Sequence, residues 1–434
     1  MRQTLTEKIL SHRLGKKQVE AGETLWVNVD TLMAIDAYIP LMREIFTKEL
    51  GETAKIANPN QCIFVIDHFS FTTDTTAQKN NQQIRQFAQE QGVRLYDVGK
   101  GISHLLLAEQ GYNRPGAILV GTDSHTVTSG AFGTFAIGVG ATDATFILAT
   151  GEILLKVPAS IKVVFHGALS PHVTAKDLIL MLLRDLTTRG ANYCAIEFSG
   201  EVIDNMEVAE RMTLCNMAAE AGAKNAIMVP NTATIQYLQQ RTSVPFEVFT
   251  PDRDACYIKT LEYDVTGIEP LVACPHSPDN VASIDAVAGV KLERAYIGSC
   301  TGGKLTDFVA AARILLNKTV AIETLAVPAS QAVVEEMMTT EINGHSVDEI
   351  LVNAGVQLSL TPGCAACCGG LADTFGRVNQ PQTVISTTNR NFPGRMGHKQ
   401  AEIYLASPYT VAGSAVAGHL VNPKDYLTPA VISS

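Results

Sequence analysis

The chain has 434 residues, 46% hydrophobic and 18% charged, which is enough to bury a substantial core and to form two or three domains. Its net charge of −10 and its lack of a Lys/Arg-rich block argue against nucleic acid as the main partner. The longest apolar stretch, residues 131–155, includes Asp143 and Glu152, so we expect buried core there and no contact with a membrane. Because the first eight residues form no apolar signal region, we predict a cytoplasmic protein.

Short β-branched segments alternate with amphipathic segments along the chain, a pattern that is typical of α/β layers with parallel sheets. Within this pattern Thr174–Asp177 is a capping box, which predicts a helix that runs to about Thr187 and is closed by Gly190. Further helices are predicted over residues 206–221 and 333–338. We therefore expect an α/β fold.

Polar side chains follow four of the predicted strands. They are Asp67 and His68 after residues 62–66, Asp123, Ser124 and His125 after residues 117–120, Cys300 after residues 294–297, and Asn389 and Arg390 after residues 384–385. Ligands of open parallel sheets bind beyond the carboxyl ends of the strands. The four segments are therefore predicted to converge on one site.

Candidate acid and base groups occur early in the chain. Asp67 with His68, His104, and Asp123 with His125 combine imidazoles that titrate near neutral pH with carboxylates that can orient them. Any one of these histidines taken alone is more typical of a satisfied core or cap position. Their number in the segments after strands favours a catalytic role.

Asn216 and Glu220 are four residues apart on a predicted helix, so their side chains project from one face. A solvated helix face is the ordinary alternative for such a pair. The helix is largely apolar around them, with Leu214, Met217 and Ala218 close by. This setting favours a buried site for both side chains.

Cys300, Cys364 and Cys367 stand on short glycine-rich segments. Three thiolates in such turns suit an iron–sulfur cluster whose fourth iron has no cysteine and can bind a substrate. A zinc half-site and a redox dithiol are the alternatives for a C-x-x-C pair. A structural zinc site requires four ligands, and the sequence has no second C-x-x-C pair beside this one. The cysteines alone leave these alternatives open.

The segment Asn389–Arg395 places Arg390 and Arg395 around a Pro-Gly turn. Two guanidiniums in this arrangement can bind carboxylates through paired hydrogen bonds. Surface arginines on a turn are commonplace. The low charge of the segment and its position after a strand favour a carboxylate clamp.

Four motifs in order along the chain resemble the aconitase superfamily: Thr122–Thr126, Gly298–Thr301, Cys364–Cys367 and Asn389–Arg395. The resemblance covers nearly the whole chain, and within the superfamily it is to the large subunits of 3-isopropylmalate dehydratases, of the shorter type shared with archaeal homoaconitases. It implies an aconitase-like α/β/α iron–sulfur fold with parallel sheets and without the swivelling fourth domain. The three implied subdomains cover residues 1–160, 161–280 and 281–434.

The resemblance also implies roles for individual residues. The implied ligands of one 4Fe-4S cluster, with one iron not bound by cysteine, are Cys300, Cys364 and Cys367. The implied catalytic residues are Asp67, His68, His104, Asp123, His125 and Glu220. The implied substrate-binding residues are Ser124, Asn216, Asn389, Arg390 and Arg395.

By the same resemblance, the chain is expected to act as a hydro-lyase on a small dicarboxylate. It would interconvert 2-isopropylmalate and 3-isopropylmalate in leucine biosynthesis by dehydration and rehydration, and a separate small subunit would supply the serine base. Homoaconitase and methylmalate or dimethylmalate dehydratases share this chemistry. A cluster-sensing RNA-binding protein and a zinc-stabilised structural protein are alternatives from other classes.

Three positions depart from the superfamily pattern. Ile35 stands before Asp36 where aconitase has a substrate-contacting glutamine, which predicts a less polar substrate environment. Gly302 replaces the familiar asparagine, so a hydrogen bond to a cluster sulfur is expected to be missing. Cys368 adds a further thiol next to Cys367 and leaves open which two of the neighbouring cysteines bind iron.

Overall fold

A computed structural model describes residues 2–427 and 432–433 of the chain. Three successive units of strand and helix follow one another, each built on its own predominantly parallel sheet. None of the helices in this part of the chain combines the length and the apolar character that crossing a bilayer requires. The prediction of an α/β fold with parallel sheets is confirmed.

The first unit contains a five-stranded parallel sheet in the order β4-β3-β2-β5-β6 and an antiparallel pair of β1 and β7. Its strands are β1 Thr24–Asn28, β2 Thr31–Ile35, β3 Cys62–Val65, β4 Arg94–Tyr96, β5 Ile118–Gly121, β6 Phe135–Gly138 and β7 Glu152–Lys156. Its helices are α1 Leu5–Arg13, α2 Ile39–Leu50, α3 Thr75–Gln91, α4 Ser103–Glu109 and α5 Ala141–Thr150. The chain places β3 and β4 on one side of β2, and β5 and β6 on the other. The carboxyl ends of β3, β2 and β5 therefore form a crevice of the kind that binds ligands.

The second unit is a four-stranded parallel sheet in the order β10-β9-β8-β11. Its strands are β8 Ser160–His166, β9 Ala195–Ser199, β10 Asn225–Met228 and β11 Lys259–Asp264. Its helices are α6 Ala175–Leu186, α7 Glu201–Asp204, α8 Val208–Met217 and α9 Thr232–Gln239. The predicted helix over 206–221 is confirmed as α8 followed by a 3-10 turn.

The capping box that was predicted at the start of α6 is present, with reciprocal hydrogen bonds between Thr174 and Asp177. The predicted closure by Gly190 is wrong. The helix ends at Leu186, and Thr187 turns the chain with a positive φ of 59°. Gly190 instead packs against the helix end, where an added Cβ would lie 1.9 Å from the Leu186 carbonyl oxygen.

The third unit holds a seven-stranded sheet in the order β13-β12-β20-β19-β14-β15-β18, parallel from β20 to β18. A small sheet, β17-β16-β21, lies beside it. The strands are β12 Leu271–Ala273, β13 Val281–Ser283, β14 Arg294–Gly298, β15 Glu323–Val327, β16 Glu341–Ile342, β17 His345–Ser346, β18 Gln357–Leu358, β19 Thr383–Ser386, β20 Glu402–Leu405 and β21 Ile432–Ser433. The helices are α10 Leu305–Leu315, α11 Gln331–Thr339, α12 Val347–Asn353 and α13 Pro408–Ala417. The predicted helix over 333–338 is confirmed as part of α11.

Three short 3-10 helices carry predicted site residues: Ser124–Phe132, Ala218–Ala221 and Ala365–Cys368. The main sheets of the three units span residues 31–138, 160–264 and 271–405. One continuous apolar core runs through the second and third units and includes Val127 and Phe132 of the first. Because packing continues across the units, the exact boundaries at 160 and 280 stay a prediction.

Candidate active site

The segments after the strands meet at the junction of the first and third units, with α8 of the second unit against them. The Cys364 backbone N–H donates to the Asp67 carbonyl at 2.9 Å, which joins the cysteine turn to the end of β3. The Arg390 side chain reaches Glu220 in the 3-10 helix that follows α8. All of the residues that the sequence analysis assigned to the site therefore lie in one region, and their chemical roles stay predictions.

Three thiols, those of Cys300, Cys364 and Cys367, are buried together. Asn216 Nδ2 donates to Cys300 Sγ at 3.1 Å, and Asn389 contacts both Cys300 at 3.5 Å and Cys367 at 3.3 Å. Burial, reinforced by the neighbouring Cys367 and Asp123, raises the pKa of the Cys300 thiol to about 12. Burial also raises the pKa of Cys364 well above its usual range. A bound metal centre would stabilise the thiolate forms that burial alone disfavours.

The arrangement of the thiols argues against a site for a single metal ion. Among the described residues, no three potential ligand atoms that include a cysteine sulfur lie within 4.8 Å of one another. Ligands of one zinc ion, with Zn–S bonds of about 2.3 Å, would stand about 3.8 Å apart. The three sulfurs of the described chain are therefore not arranged as ligands of one zinc ion.

Cys368, the further thiol of this turn, is set apart from the other three. Its Sγ donates to the Ala365 carbonyl at 3.3 Å, and the residue is only partly buried. Cys364 and Cys367 are buried, and Cys367 contacts the same asparagine as Cys300 does. The geometry therefore favours Cys364 and Cys367 as the pair that joins Cys300.

Asp67 and His68 follow β3 and form a tight pair, with 2.6 Å between Asp67 Oδ1 and His68 Nδ1. Burial lowers the pKa of His68, but Asp67 and the nearby Cys364 outweigh it and hold the pKa well above the usual range. Asp67 also accepts from the Ser103 backbone N–H at 2.8 Å, which fixes the carboxylate. The raised pKa favours the protonated imidazole, which Asp67 orients through Nδ1, and Nε2 lies 3.9 Å from Asp123 Oδ2.

Asp36 lies next to this pair, and the sequence had not indicated a role for it. It is 2% exposed and accepts hydrogen bonds from the backbone N–H groups of His68 and Phe69, the latter at 2.7 Å. Burial raises its pKa to about 6. Asp36 could have been predicted from its position directly after β2, the strand between β3 and β5. Asp67 and Asp123 were predicted because they too are polar residues that follow a strand.

A second chain of hydrogen bonds begins at Asp123, which follows β5. Asp123 Oδ1 lies 3.1 Å from His104 Nε2 and 3.1 Å from His125 Nδ1. His125 Nε2 in turn lies 2.7 Å from Glu220 Oε1. Burial would raise the pKa of Asp123, but the two histidines hold it well below its usual range. Glu220 likewise has a lowered pKa, because His125 and Arg390 outweigh its burial.

The two predicted clamp arginines have different surroundings. Arg390 Nε donates to both oxygens of Glu220 at 2.8 and 2.7 Å, and its Nη2 donates to Ser124 Oγ at 3.1 Å. Arg395 has no ion pair in the described part of the chain, and its Nε is buried without an acceptor there. Burial lowers the pKa of Arg395, yet the adjacent Cys367 and Cys368 thiols raise it overall. Arg395 therefore has an N–H group available to bind an anionic ligand.

Behind the cysteines lie buried groups that sequence reasoning missed, Thr387 and Lys176. Thr387 Oγ1 bonds both the N–H and the carbonyl of Gly298, each at 2.9 Å, and ties the end of β14 to the segment after β19. A Cβ on Gly302 would lie 2.1 Å from Thr387 Oγ1, so this position, where the superfamily pattern has an asparagine, has no room for a side chain. No local pattern signals these contacts, because their partners are distant in sequence.

Comparisons with known proteins agree with this geometry. A model of the aconitase family (aconitate hydratase) matches residues 28–418. The chain is 45% identical to the chloroplastic 3-isopropylmalate dehydratase large subunit of Arabidopsis thaliana, over 98% of this chain and 87% of that protein. It is 41% identical to 3-isopropylmalate dehydratase large subunit 1 of Pyrococcus furiosus, over 97% and 98%.

A third relative, the 3-isopropylmalate dehydratase large subunit of Hydrogenobaculum sp., is 39% identical over the whole of both chains. Among solved structures, holo-form aconitase X of Thermococcus kodakaraensis superposes with a TM-score of 0.51 at 11% identity, covering 92% of this chain and 93% of that one. That likeness supports the fold alone. With a family model that spans nine-tenths of its length and full-length relatives at this identity, the chain belongs to the aconitase family.

Proposed function

We propose that this chain is the large, cluster-bearing subunit of a hydro-lyase that converts 2-isopropylmalate to 3-isopropylmalate in leucine biosynthesis. The main evidence for this proposal is that three buried thiols lie close to the Asp67–His68 pair and to Arg395. The names of the near full-length relatives support the choice of substrate. The reaction is dehydration of a hydroxy-dicarboxylic acid followed by rehydration at the neighbouring carbon.

In this proposal Cys300, Cys364 and Cys367 hold one 4Fe-4S cluster that has one iron without a cysteine ligand. When bound, such a cluster supplies a Lewis acid at its open iron. The surrounding amides fit it, because Asn216 Nδ2 and Asn389 Nδ2 both point an N–H at Cys300 Sγ. The alternative of a zinc-stabilised structural protein is disfavoured, because no set of three closely spaced ligand atoms in the described chain includes a cysteine sulfur.

The protein side chains would transfer protons and orient the substrate. His68 holds a proton at Nε2, because Nδ1 is bonded to Asp67, and it donates that proton to the departing hydroxyl. The Asp123–His125–Glu220 chain fixes Arg390, whose remaining N–H groups join Arg395 in binding the substrate carboxylates. Holding both carboxylates keeps the unsaturated intermediate in place for rehydration.

A separate small subunit would complete the site by supplying the group that removes the carbon-bound proton. The relatives' names as large subunits support such a partner. The predicted cytoplasmic location belongs to the same proposal. The net charge of −10 makes RNA the less suitable partner for this surface.

The direct test is anaerobic co-expression of the chain with the small-subunit candidate from the same source. The purified pair should be brown and should turn over 2-isopropylmalate, while the isolated chain should be brown and nearly inactive. Homocitrate and 2-methylmalate serve as competing substrates. A brown pair that turns over either of these but not 2-isopropylmalate would contradict the substrate assignment, and a colourless active pair would contradict the cluster.

A further inference from the structure

Lys176, the second residue of α6, lies deep behind the cysteines. Its side chain is 2% exposed in a helix of the second unit, yet it reaches the third unit. The ammonium donates to the carbonyl oxygens of Thr387 at 2.9 Å and Thr388 at 2.6 Å. A buried lysine therefore fixes two successive peptide groups at the end of β19.

Those two peptide groups immediately precede Asn389, whose amide contacts Cys300 and Cys367. The Thr387 carbonyl also accepts from Thr301 Oγ1 at 3.0 Å, next to Cys300. The backbone that Lys176 binds is thus joined to the loops of two of the three proposed cluster ligands. Displacing it would move Asn389 relative to both thiols.

The charge of Lys176 also points to a role beside the cysteines. No carboxylate of the described chain lies within ion-pair distance of its ammonium, whereas the other lysine buried here, Lys304, pairs with Asp307 at 2.8 Å. Burial and the nearby Lys304 lower the pKa of Lys176 to about 8, whereas Cys367, Asp307 and Cys300 act in the opposite direction. A buried cation without a counter-ion is costly. Metal-bound thiolates at Cys367 and Cys300 would compensate it.

We propose that Lys176 is a positioning residue for the iron–sulfur cluster, serving as the counter-cation of the Cys300 and Cys367 thiolates and holding the backbone that orients Asn389. The inference rests on the proposed function, because it requires the cluster. A positive charge beside the cluster favours the reduced form. Removing it should therefore make the reduction potential more negative and loosen the retention of iron.

The test uses Lys176→Met, which keeps the length of the side chain and removes its charge, in the co-purified two-subunit protein. We expect a more negative midpoint potential in an anaerobic redox titration followed by electron paramagnetic resonance, and faster loss of iron on exposure to air. Lys224→Met is the matched control, since Lys224 is a partly buried lysine that donates to the Gly138 carbonyl at 2.9 Å outside the cysteine region. It should leave the potential unchanged.

A wild-type potential in folded Lys176→Met protein would overturn the inference while leaving the proposed function intact. Absence of a cluster from the wild-type pair would overturn both. Lys176→Gln and Lys176→Arg give a second comparison should the Met variant not fold. The neutral Gln variant should shift the potential and the charged Arg variant should not, and the opposite pattern would refute the role of charge.

Discussion

Asp123 receives hydrogen bonds from two histidine rings and from the His125 backbone N–H, all on one carboxylate oxygen. These neighbours hold its pKa well below the usual range against the effect of burial. Asp36, which is more deeply buried and bonded mainly to backbone N–H groups, has its pKa raised to about 6. At the scale of single residues, the partners of each carboxylate therefore set its protonation together with its burial.

The Asp67–His68 pair gives the first prediction. Asp67→Asn keeps the shape of the side chain but removes the charge that holds the proton on His68, so general-acid catalysis should fall. Such contributions are typically about 100-fold to 10,000-fold in rate, and we expect a loss of kcat in that range in steady-state kinetics of the two-subunit protein. Asp97→Asn, in a surface ion pair with Arg85, should keep wild-type kinetics. An Asp67→Asn enzyme with normal kcat would remove His68 from the acid role.

The arginines give the second prediction. Arg395→Lys keeps a positive charge but loses the paired N–H geometry, so catalytic efficiency should fall by about ten- to a hundredfold, the value of one charge-assisted hydrogen bond. Arg390→Lys should lose as much, since it also breaks the bonds to Glu220. The visible spectrum should not change in either variant. Arg43→Lys at a surface ion pair is the control, and wild-type kcat/KM in both site variants would exclude a carboxylate clamp.

At the scale of elements, the site is built from strand ends and one short turn. The 3-10 turn Ala365–Cys368 presents its cysteines differently, since Cys367 faces Asn389 while Cys368 bonds back to the Ala365 carbonyl. Cys364 is anchored through its backbone to Asp67 at the end of β3. The turn thus links the proposed cluster to the proposed general acid.

The third prediction follows from this turn. Serine at Cys300, Cys364 or Cys367 should abolish the brown colour and lower bound iron after anaerobic reconstitution, because each thiolate binds one iron. Cys368→Ser should retain both colour and iron. Iron analysis and the visible spectrum provide the measurement. Loss of the cluster in Cys368→Ser together with its retention in Cys367→Ser would show that the ligand assignment is wrong.

The sequence predicted the elements that carry the site better than the contacts between them. The four strands before Asp67, Asp123, Cys300 and Asn389 were all found, because short β-branched segments and the polar residues after them are local patterns. The bond between Lys176 and Thr387 joins residues 211 positions apart, and no local pattern encodes it. The closure of α6 was misplaced for a similar reason, since Gly190 is required by packing against Leu186 and not by the helix end.

At the scale of the whole molecule, polar contacts join the three units. Glu197 of β9 accepts the backbone N–H groups of Leu5 and Thr6 at 3.1 Å each, which attaches α1 to the second unit. Glu109 at the end of α4 bonds Ser330, the N-cap residue of α11, and so joins the first unit to the third. These contacts should hold the three units in fixed positions relative to one another.

The fourth prediction concerns pH. Burial raises the pKa of Glu109 to about 7, whereas its ordinary value is 4.5. The folded protein therefore holds a proton that the unfolded chain releases, so this residue stabilises the fold below pH 4.5 and that contribution is lost as the pH rises through about 7. We expect the Tm of the wild-type protein to fall between pH 5 and 8, and Glu109→Gln should reduce that fall. The exposed Glu52→Gln should not, and an unchanged pH profile in Glu109→Gln would contradict the assignment.

The proposed function depends on three cysteines that hold a cluster and on a remaining iron that binds the substrate. Mössbauer spectra of the two-subunit protein loaded with iron-57, recorded with and without 2-isopropylmalate, test it most directly. We expect four iron sites, of which one changes its spectrum when the substrate is added, and loss of all four in Cys300→Ser. A protein without bound iron, or a cluster whose spectrum the substrate leaves entirely unchanged, would contradict it.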